Sequence, residues 1–499
     1  MMIYKILDSF DHYPGDFLIY LPHMDQRILT TVRRQLIVAA GFAVIGGMQT
    51  GAAAQASPPP GKEPPNIIVI LADDIGYGDL NGYFGGEART PNLDRMAREG
   101  MLFTDFHSNG PMCSPTRAAL LTGRYQQRLG IETPVVGKAI ELPENRGETT
   151  MAHYLGAAGY RTAIYGKWHL GVPPEGNPVH FGFDEFIGYF GGDLDYFSRI
   201  SRSGEKDWWH NESLLEETGY VTDLITEHSV RFMEKNRDVP FFLYVSHLAI
   251  HFPWQGPEDD HLWARQEGGR YTGNEPGPRS KLGPHLPGDV PACLLRMIEE
   301  LDNSVGRILT ALVQLGLERN TLVFFTSDNG GYINYREDVW PAVGSNGFLR
   351  GQKRDVFEGG HRVPAVAWWP GTIPALSVCD QTAMTMDLLP TFLELVHIDM
   401  PVGDVHPVLD GVSLVPLFRK EALEPRTLFW RMNDAGAVRQ GTWKLVIQSK
   451  DHATGLYNLA ADIGEKQDLA TEHPELVQEL LEEFLRWEQD VETKENNPY

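Results

Sequence analysis

The strongest constraint on the fold is a set of short, almost wholly apolar runs: Asn66–Leu71, Arg161–Tyr165, Phe241–Val245, Leu322–Thr326 and Val363–Trp369. Each is bounded by Gly, Pro or polar residues. Runs of this length without polar alternation suit strands buried on both faces. Amphipathic stretches separate them, so the chain reads as an α/β protein with helices on a sheet. With 499 residues, it can bury a large core as one big domain plus a smaller one.

After roughly Pro401 the character changes. Leu428–Arg431, Ala437–Val438 and Trp443–Ile447 read as short strands of an antiparallel sheet. A final helix carries Val477, Leu480, Phe484, Trp487 and Val491 on one face, a packing stripe. The Gly- and Pro-rich stretch from Gly256 to Gly288 lacks periodicity and reads as a long surface excursion.

The amino-terminal part reads as an export signal. From Met24, a basic region with Arg33 and Arg34 precedes an apolar run, Leu36–Met48, and the small-x-small pattern Ala54-Gln55-Ala56. The run is short for a bilayer span, which favours a cleaved signal peptide over about 24–56 and no membrane span after its removal. Val32–Ile37 also resembles a twin-arginine signal, with an ordinary secretory signal as the alternative. The residues before Met24 fit neither reading, and a misplaced start codon accounts for them. The expected organisation is therefore a start region and signal over 1–56, a linker over 57–65, a catalytic domain over 66–400 and a C-terminal subdomain over 401–499. The expected location is exported, periplasmic or secreted.

A net charge of −24 excludes the basic footprint of a nucleic-acid binder. It also means that an anionic substrate needs a locally cationic pocket. Three cysteines, Cys113, Cys293 and Cys379, allow at most one disulfide and no framework.

Four of the apolar runs lead into polar residues that could share one site. They lead into Asp73-Asp74, into Lys167 and His169, into His247 and His251, and into Asp328-Asn329. In open α/β sheets ligands bind beyond the carboxyl ends of the strands, so these residues can converge. Taken singly, Asp73-Asp74 and Asp328-Asn329 read as turns, a lone His as a structural residue, and Lys167 or Lys353 as solvated charge. Together, carboxylates and an amide offer hard oxygen ligands suited to Ca²⁺ or Mg²⁺, and the cations suit an oxyanion. No Cys/His spacing suits a structural zinc.

Cys113 lies in Pro111-Met112-Cys113-Ser114-Pro115-Thr116-Arg117, ahead of Ala118-Ala119-Leu120-Leu121-Thr122-Gly123-Arg124. Pro115 suits a first helical turn, Ala118–Leu121 continue it and Gly123 can close it. Cys113 then sits just before a helix N-terminus, with Arg117 one turn on, a place for a reactive thiolate or a bound anion. A buried inert cysteine is the plainer alternative.

Cys113-Ser114-Pro115-Thr116-Arg117 with Leu121-Thr122-Gly123-Arg124 resembles the signature of the formylglycine-dependent sulfatases, with Thr116 where that family most often has Ser. Further blocks follow in order: Leu71–Gly76, Gly166–Gly171, His251-Phe252-Pro253, Ser327–Gly331, Lys353–Gly360, and a tail from Val438 to Leu459. The resemblance covers about residues 66–490. It implies an alkaline-phosphatase-like fold, a large mixed and mostly parallel sheet flanked by helices with a small C-terminal α+β subdomain. It implies hydrolysis of sulfate monoesters, an arylsulfatase-type activity, on a sulfated small molecule or, by preference, a saccharide. It implies that a formylglycine-generating enzyme converts Cys113 to formylglycine, whose hydrate supplies the nucleophile. One Ca²⁺ would be held by Asp73, Asp74, Asp328, Asn329 and the modified Cys113. Arg117, Lys167 and Lys353 would bind sulfate with the ion. Asp328 would take the nucleophile's proton, His251 would protonate the departing alcohol, and His169 would take the remaining hydroxyl's proton to expel sulfate.

Three other readings use the same residues: a phosphonate monoester or phosphodiester hydrolase on this scaffold, an inactive sulfoglycan-binding protein, and a plain cysteine hydrolase. The last lacks a clear base near Cys113.

Overall fold

Apolar runs with no polar alternation must be covered on both faces, and the five runs form strands of one ten-stranded sheet. The structure is a computed structural model that describes residues 64–136, 149–262, 264–271, 282–335, 340, 343–399, 409–449 and 452–492. The expected signal over 24–56 and nearly all of the 57–65 linker lie outside the described residues. At the sheet's centre five parallel strands lie in the order Thr321–Ser327, Asn66–Ala72, Phe241–Ser246, Arg161–Lys167 and Glu185–Tyr189. Ile68, Ile70 and Ala72 enter the core on one face, and Ile67, Val69 and Leu71 enter the core on the other. That division follows from the two-residue period of a strand.

The fifth run supplies an antiparallel member of the mixed sheet. Its strand is Ala365–Trp368, and it pairs antiparallel with Thr321–Ser327. Asp328 and Lys353 both meet Asp74 beyond the carboxyl ends of the parallel strands, so the strand that follows runs back. Met101–Phe103 and Ser377–Cys379 complete that side, and the hairpin Trp209–His210 with Ser213–Leu214 completes the other. The sheet is thus mixed and mostly parallel, with helices packed on it.

Near the carboxyl terminus, Thr427–Met432, Ala435–Gln440, Trp443–Ser449 and His452–Asn458 form a four-stranded antiparallel sheet. Its fourth strand was not expected. His452-Ala453-Thr454-Gly455 lacks an apolar run, and the register shifts along its pairing with Trp443–Ser449. The terminal helix Pro474–Val491 buries Leu480, Phe484, Trp487 and Val491, with Val477 at the margin. These side chains share one core with Met112, Ala119 and Tyr125, so the small sheet braces the segment around Cys113. Residues 63–499 form one compact unit.

The Gly256–Gly288 excursion is not wholly superficial. Among its described residues Asp259, Arg265, Tyr271 and Leu282 are buried. Asp195 Oδ2 accepts from the Ala264 and Arg265 N–H groups at 2.8 and 2.9 Å, which fastens the loop to the body. No described helix is long and apolar enough to cross a membrane.

Candidate active site

Flush strand ends create the site. Leu71 is in register with Ser246 and with Thr326, and Ala72 with Ser327. The residues that follow therefore leave the sheet side by side. Asp328 N–H donates to Ala72 O at 3.1 Å and His247 N–H to Leu71 O at 2.9 Å, extending the ladder by one rung. Asp74 (φ 66°) and His169 (φ 57°) then turn through the left-handed region, a cost of order 1–3 kcal/mol each that side chains tolerate mainly at functional sites.

The helix Cys113–Thr122 is buried throughout and ends at Gly123, whose φ of 66° meets the expected left-handed cap. Cys113 is its first residue rather than the one before it. Thr116 uses its hydroxyl to accept from Gly110 N–H at 3.1 Å and donate to Gly110 O at 2.8 Å, closing the loop ahead of the helix. Ser114 Oγ donates to His169 O at 2.8 Å, joining the helix to the loop after Arg161–Lys167.

Ligand atoms of Asp73, Asp74, Cys113 and Asp328 all lie within 4.8 Å of one another, and all four residues are buried. Asn329 donates from Nδ2 to Asp74 Oδ1 at 2.8 Å, and its Oδ1 is buried without a hydrogen-bond partner among the described residues. Three carboxylates and an orphaned amide oxygen are the donor chemistry of a hard, oxygen-seeking divalent cation. Lys167 Nζ lies 2.5 Å from Asp73 Oδ2, and Lys353 Nζ lies 2.5 Å from Asp74 Oδ1 and 3.4 Å from Cys113 Sγ.

Arg117 sits behind these groups. Its Nε and Nη2 donate to Asp328 Oδ2 at 3.1 and 2.8 Å, and its Nη1 to Lys167 O and Ser246 Oγ at 3.2 and 2.5 Å. The guanidinium is turned onto Asp328, where its two hydrogen bonds can orient that carboxylate.

Burial raises carboxylates and lowers imidazoles, and the local charges then decide the outcome. At Asp328, burial is outweighed by Arg117, Lys167 and Lys353, so its carboxyl stays below the usual range. At Asp73, burial and Asp328 prevail and lift it to about 7. Burial and Asp328 push the Cys113 thiol up to about 12. The unmodified side chain is therefore a protonated thiol near neutral pH, unlike the reactive thiolate that its helix position suggests.

Both expected histidines are present. His251 donates from Nδ1 to Phe252 O at 2.7 Å, and its Nε2 lies 3.8 Å from Asp74 Oδ2. His169 is buried, and its Nδ1 has no hydrogen-bond partner among the described residues. Burial, reinforced by Lys167, holds both rings well below the ordinary imidazole value. His247 is elsewhere: its Nε2 meets Ser304 Oγ at 3.0 Å in the core, as a structural histidine does. Cys293 and Cys379 are free and buried.

Sequence reasoning missed Ser246, although it ends a strand like the other site residues. The segment Tyr189–Trp209 reads from sequence as part of the pocket wall, but only the tertiary fold sets its Gly192 against the His169 ring.

A family profile described as Sulfatase matches residues 65–398. N-acetylgalactosamine-6-sulfatase of Mus musculus is 39% identical over 399 residues, covering 75% of this chain and 70% of that protein. Arylsulfatase A of Homo sapiens is 34% identical over 410 residues, covering 75% and 73%. The solved structure of Ps i-CgsB in complex with k-i-k-neocarrahexaose superposes with a TM-score of 0.73 at 30% identity, covering 87% of this chain and 94% of that one.

Proposed function

The chain belongs to the sulfatase family, and from that premise we propose that it removes a sulfate ester from a saccharide, using a formylglycine made from Cys113 and one Ca²⁺. It is a sulfuric ester hydrolase. A saccharide substrate is supported by the names of two similar proteins, an N-acetylgalactosamine-6-sulfatase and a protein in complex with a neocarrahexaose.

The observation that carries the mechanism is the convergence, within 4.8 Å, of Cys113 with Asp73, Asp74 and Asp328 beneath two buried lysines. Asp73, Asp74, Asp328 and Asn329, with position 113, would hold the ion. When bound, Ca²⁺ supplies positive charge to the sulfate oxygens, and the formylglycine hydrate supplies a hydroxyl nucleophile. Lys167 and Lys353 bind the sulfate in a site where low polarity strengthens their charge. Arg117 fixes the rotamer of Asp328, which lies within reach of position 113 to accept the nucleophile's proton. His251, whose Nδ1–H is committed to Phe252 O, can act as general acid from Nε2 only as an imidazolium, so the negative charge of the bound sulfate ester has to offset burial, Lys167 and Lys353, which hold the free ring neutral. His169, neutral and with Nδ1 unpartnered among the described residues, accepts a proton when sulfate leaves.

Maturation then requires a formylglycine-generating enzyme, and the pattern of residues 24–56 supports export of the mature chain. Mass spectrometry of the peptide containing Cys113 should find an aldehyde or its hydrate in active preparations. Full activity with an intact thiol would sink the mechanism. Faster turnover of an aryl phosphate diester than of any sulfate ester would instead favour the phosphodiesterase reading.

A further inference from the structure

One cation near the two histidines is unused by that mechanism. Gly192 packs directly on the His169 ring, where an added Cβ would lie 2.7 Å from Nε2. The next residue, buried Asp193, pairs with two arginines. Arg265, fully buried, lies 2.6 Å away, and Arg202, with 48% of its side chain exposed, is the second partner. On its other side, the Arg202 guanidinium lies 5.4 Å from the centre of the Phe252 ring, which is itself 4.2 Å from the His251 ring. Arg202 therefore bridges the segment against His169 and the residue beside His251.

Charge and shape at this rim point the same way. The fully buried Arg265 also pairs with Asp193, and the half-exposed Arg202 presents part of its guanidinium outward. The neighbouring Asp207 directs its oxygens to the Phe190 and Gly191 N–H groups and to Trp209 Nε1, at 2.9–3.1 Å. In a chain of net charge −24, such a local cation is what brings in a polyanion. Between it and the buried Lys353 runs an aromatic wall. Phe252 meets Tyr335 at 5.8 Å, Tyr335 meets Tyr332 at 5.2 Å, and Tyr332 lies 5.7 Å from Lys353 Nζ. Rings between two cations suit a pyranose carrying an anionic group at each end.

We propose that Arg202 is a specificity-determining residue that binds a second anionic group, sulfate or carboxylate, on a saccharide whose scissile sulfate lies at Lys167 and Lys353. This rests on the proposed saccharide desulfation. A guanidinium can meet either group with two parallel hydrogen bonds.

The test compares kcat/KM of the wild-type protein, Arg202→Ala and Arg202→Gln on three sugars. These are a singly sulfated N-acetylhexosamine, its disulfated counterpart, and a disaccharide with one sulfate and one uronic carboxylate. Both variants should lose on the order of tenfold more on a doubly anionic sugar than on the singly sulfated one, mainly through KM. Which doubly anionic sugar suffers tells sulfate from carboxylate. Arg202→Gln keeps a stem and a hydrogen-bond donor for Asp193, so it answers should the alanine variant fail to fold. Equal losses on all three sugars, or wild-type ratios in Arg202→Gln, would overturn the inference and leave desulfation standing. Wild-type protein inert on every sugar would overturn desulfation, and the inference with it.

Discussion

The His251 ring directs Nδ1–H to Phe252 O, so a proton given to the departing alcohol would have to leave from Nε2. A sugar alkoxide leaves poorly without that proton, whereas a nitrophenolate needs little help. His251→Ala should therefore slow sugar sulfates by on the order of 10²–10⁴-fold, and activated aryl sulfates much less. The ratio of kcat/KM losses decides the role, since a residue that only binds sulfate would lower both rates together. Gly192 offers a second test at this scale. A methyl at that position meets His169 Nε2 at 2.7 Å, closer than van der Waals contact allows, so Gly192→Ala must displace the imidazole. We expect kcat to fall by roughly tenfold or more while the unfolding midpoint moves little, because misplacing a catalytic group is costlier to rate than to stability. An unchanged kcat would remove His169 from the reaction.

At the scale of elements, the small sheet matters through a buried ionic join. Lys444, on the strand Trp443–Ser449, lies 2.9 Å from Glu358 and 3.0 Å from Glu465 with no exposed side-chain surface. Glu358 belongs to the segment that follows Lys353, and its N–H donates to Glu465 at 2.7 Å. Lys444→Met would leave two buried carboxylates without their shared cation. The expected loss is about 3–5 kcal/mol, read as a lower urea midpoint. A change below about 1 kcal/mol would mean that this join is not what holds the small sheet to the site. The strands were legible where side chains are apolar on both faces, as in Asn66–Ala72. His452–Asn458 was not, because backbone pairing with its neighbour defines it more than its own pattern. The reversed direction of Ala365–Trp368 was also hidden, since direction depends on where the preceding loop delivers the chain.

For the molecule as a whole, the contact between large and small sheets sets the response to acid. His107 and His361 meet through their Nδ1 atoms at 2.9 Å, and burial keeps both rings below the ordinary imidazole value. At Asp105, burial is outweighed by Arg362 and Arg439, and at Glu358 by Lys444, so both carboxyls lie well below their usual range. The signs agree. Below about pH 6.5 the unfolded histidines take up protons that the folded ones refuse, and below about pH 4 the unfolded carboxyls do likewise. Stability should therefore fall as pH drops from 7 to 5, and faster beneath 4. Asp73 and Asp79, both lifted to about 7 by burial, take up protons in the fold and work the other way, but the buried rings of His107, His169, His247, His251 and His361 outnumber them. Relief of the net charge of −24 also works the other way but is spread over a screened surface. A melting temperature that holds or rises between pH 7 and 5 would contradict this. The sequence by itself determined the chemistry: hard acids, lysines and histidines at the ends of apolar runs, and Cys113 within its motif, because strand ends and helix caps are local consequences of side-chain type. Only the tertiary structure decided which side chains face one another. Arg117 turned onto Asp328, His247 sent into the core and Arg202 brought between Asp193 and Phe252 all follow from register, loop path and packing, which no single stretch of sequence contains.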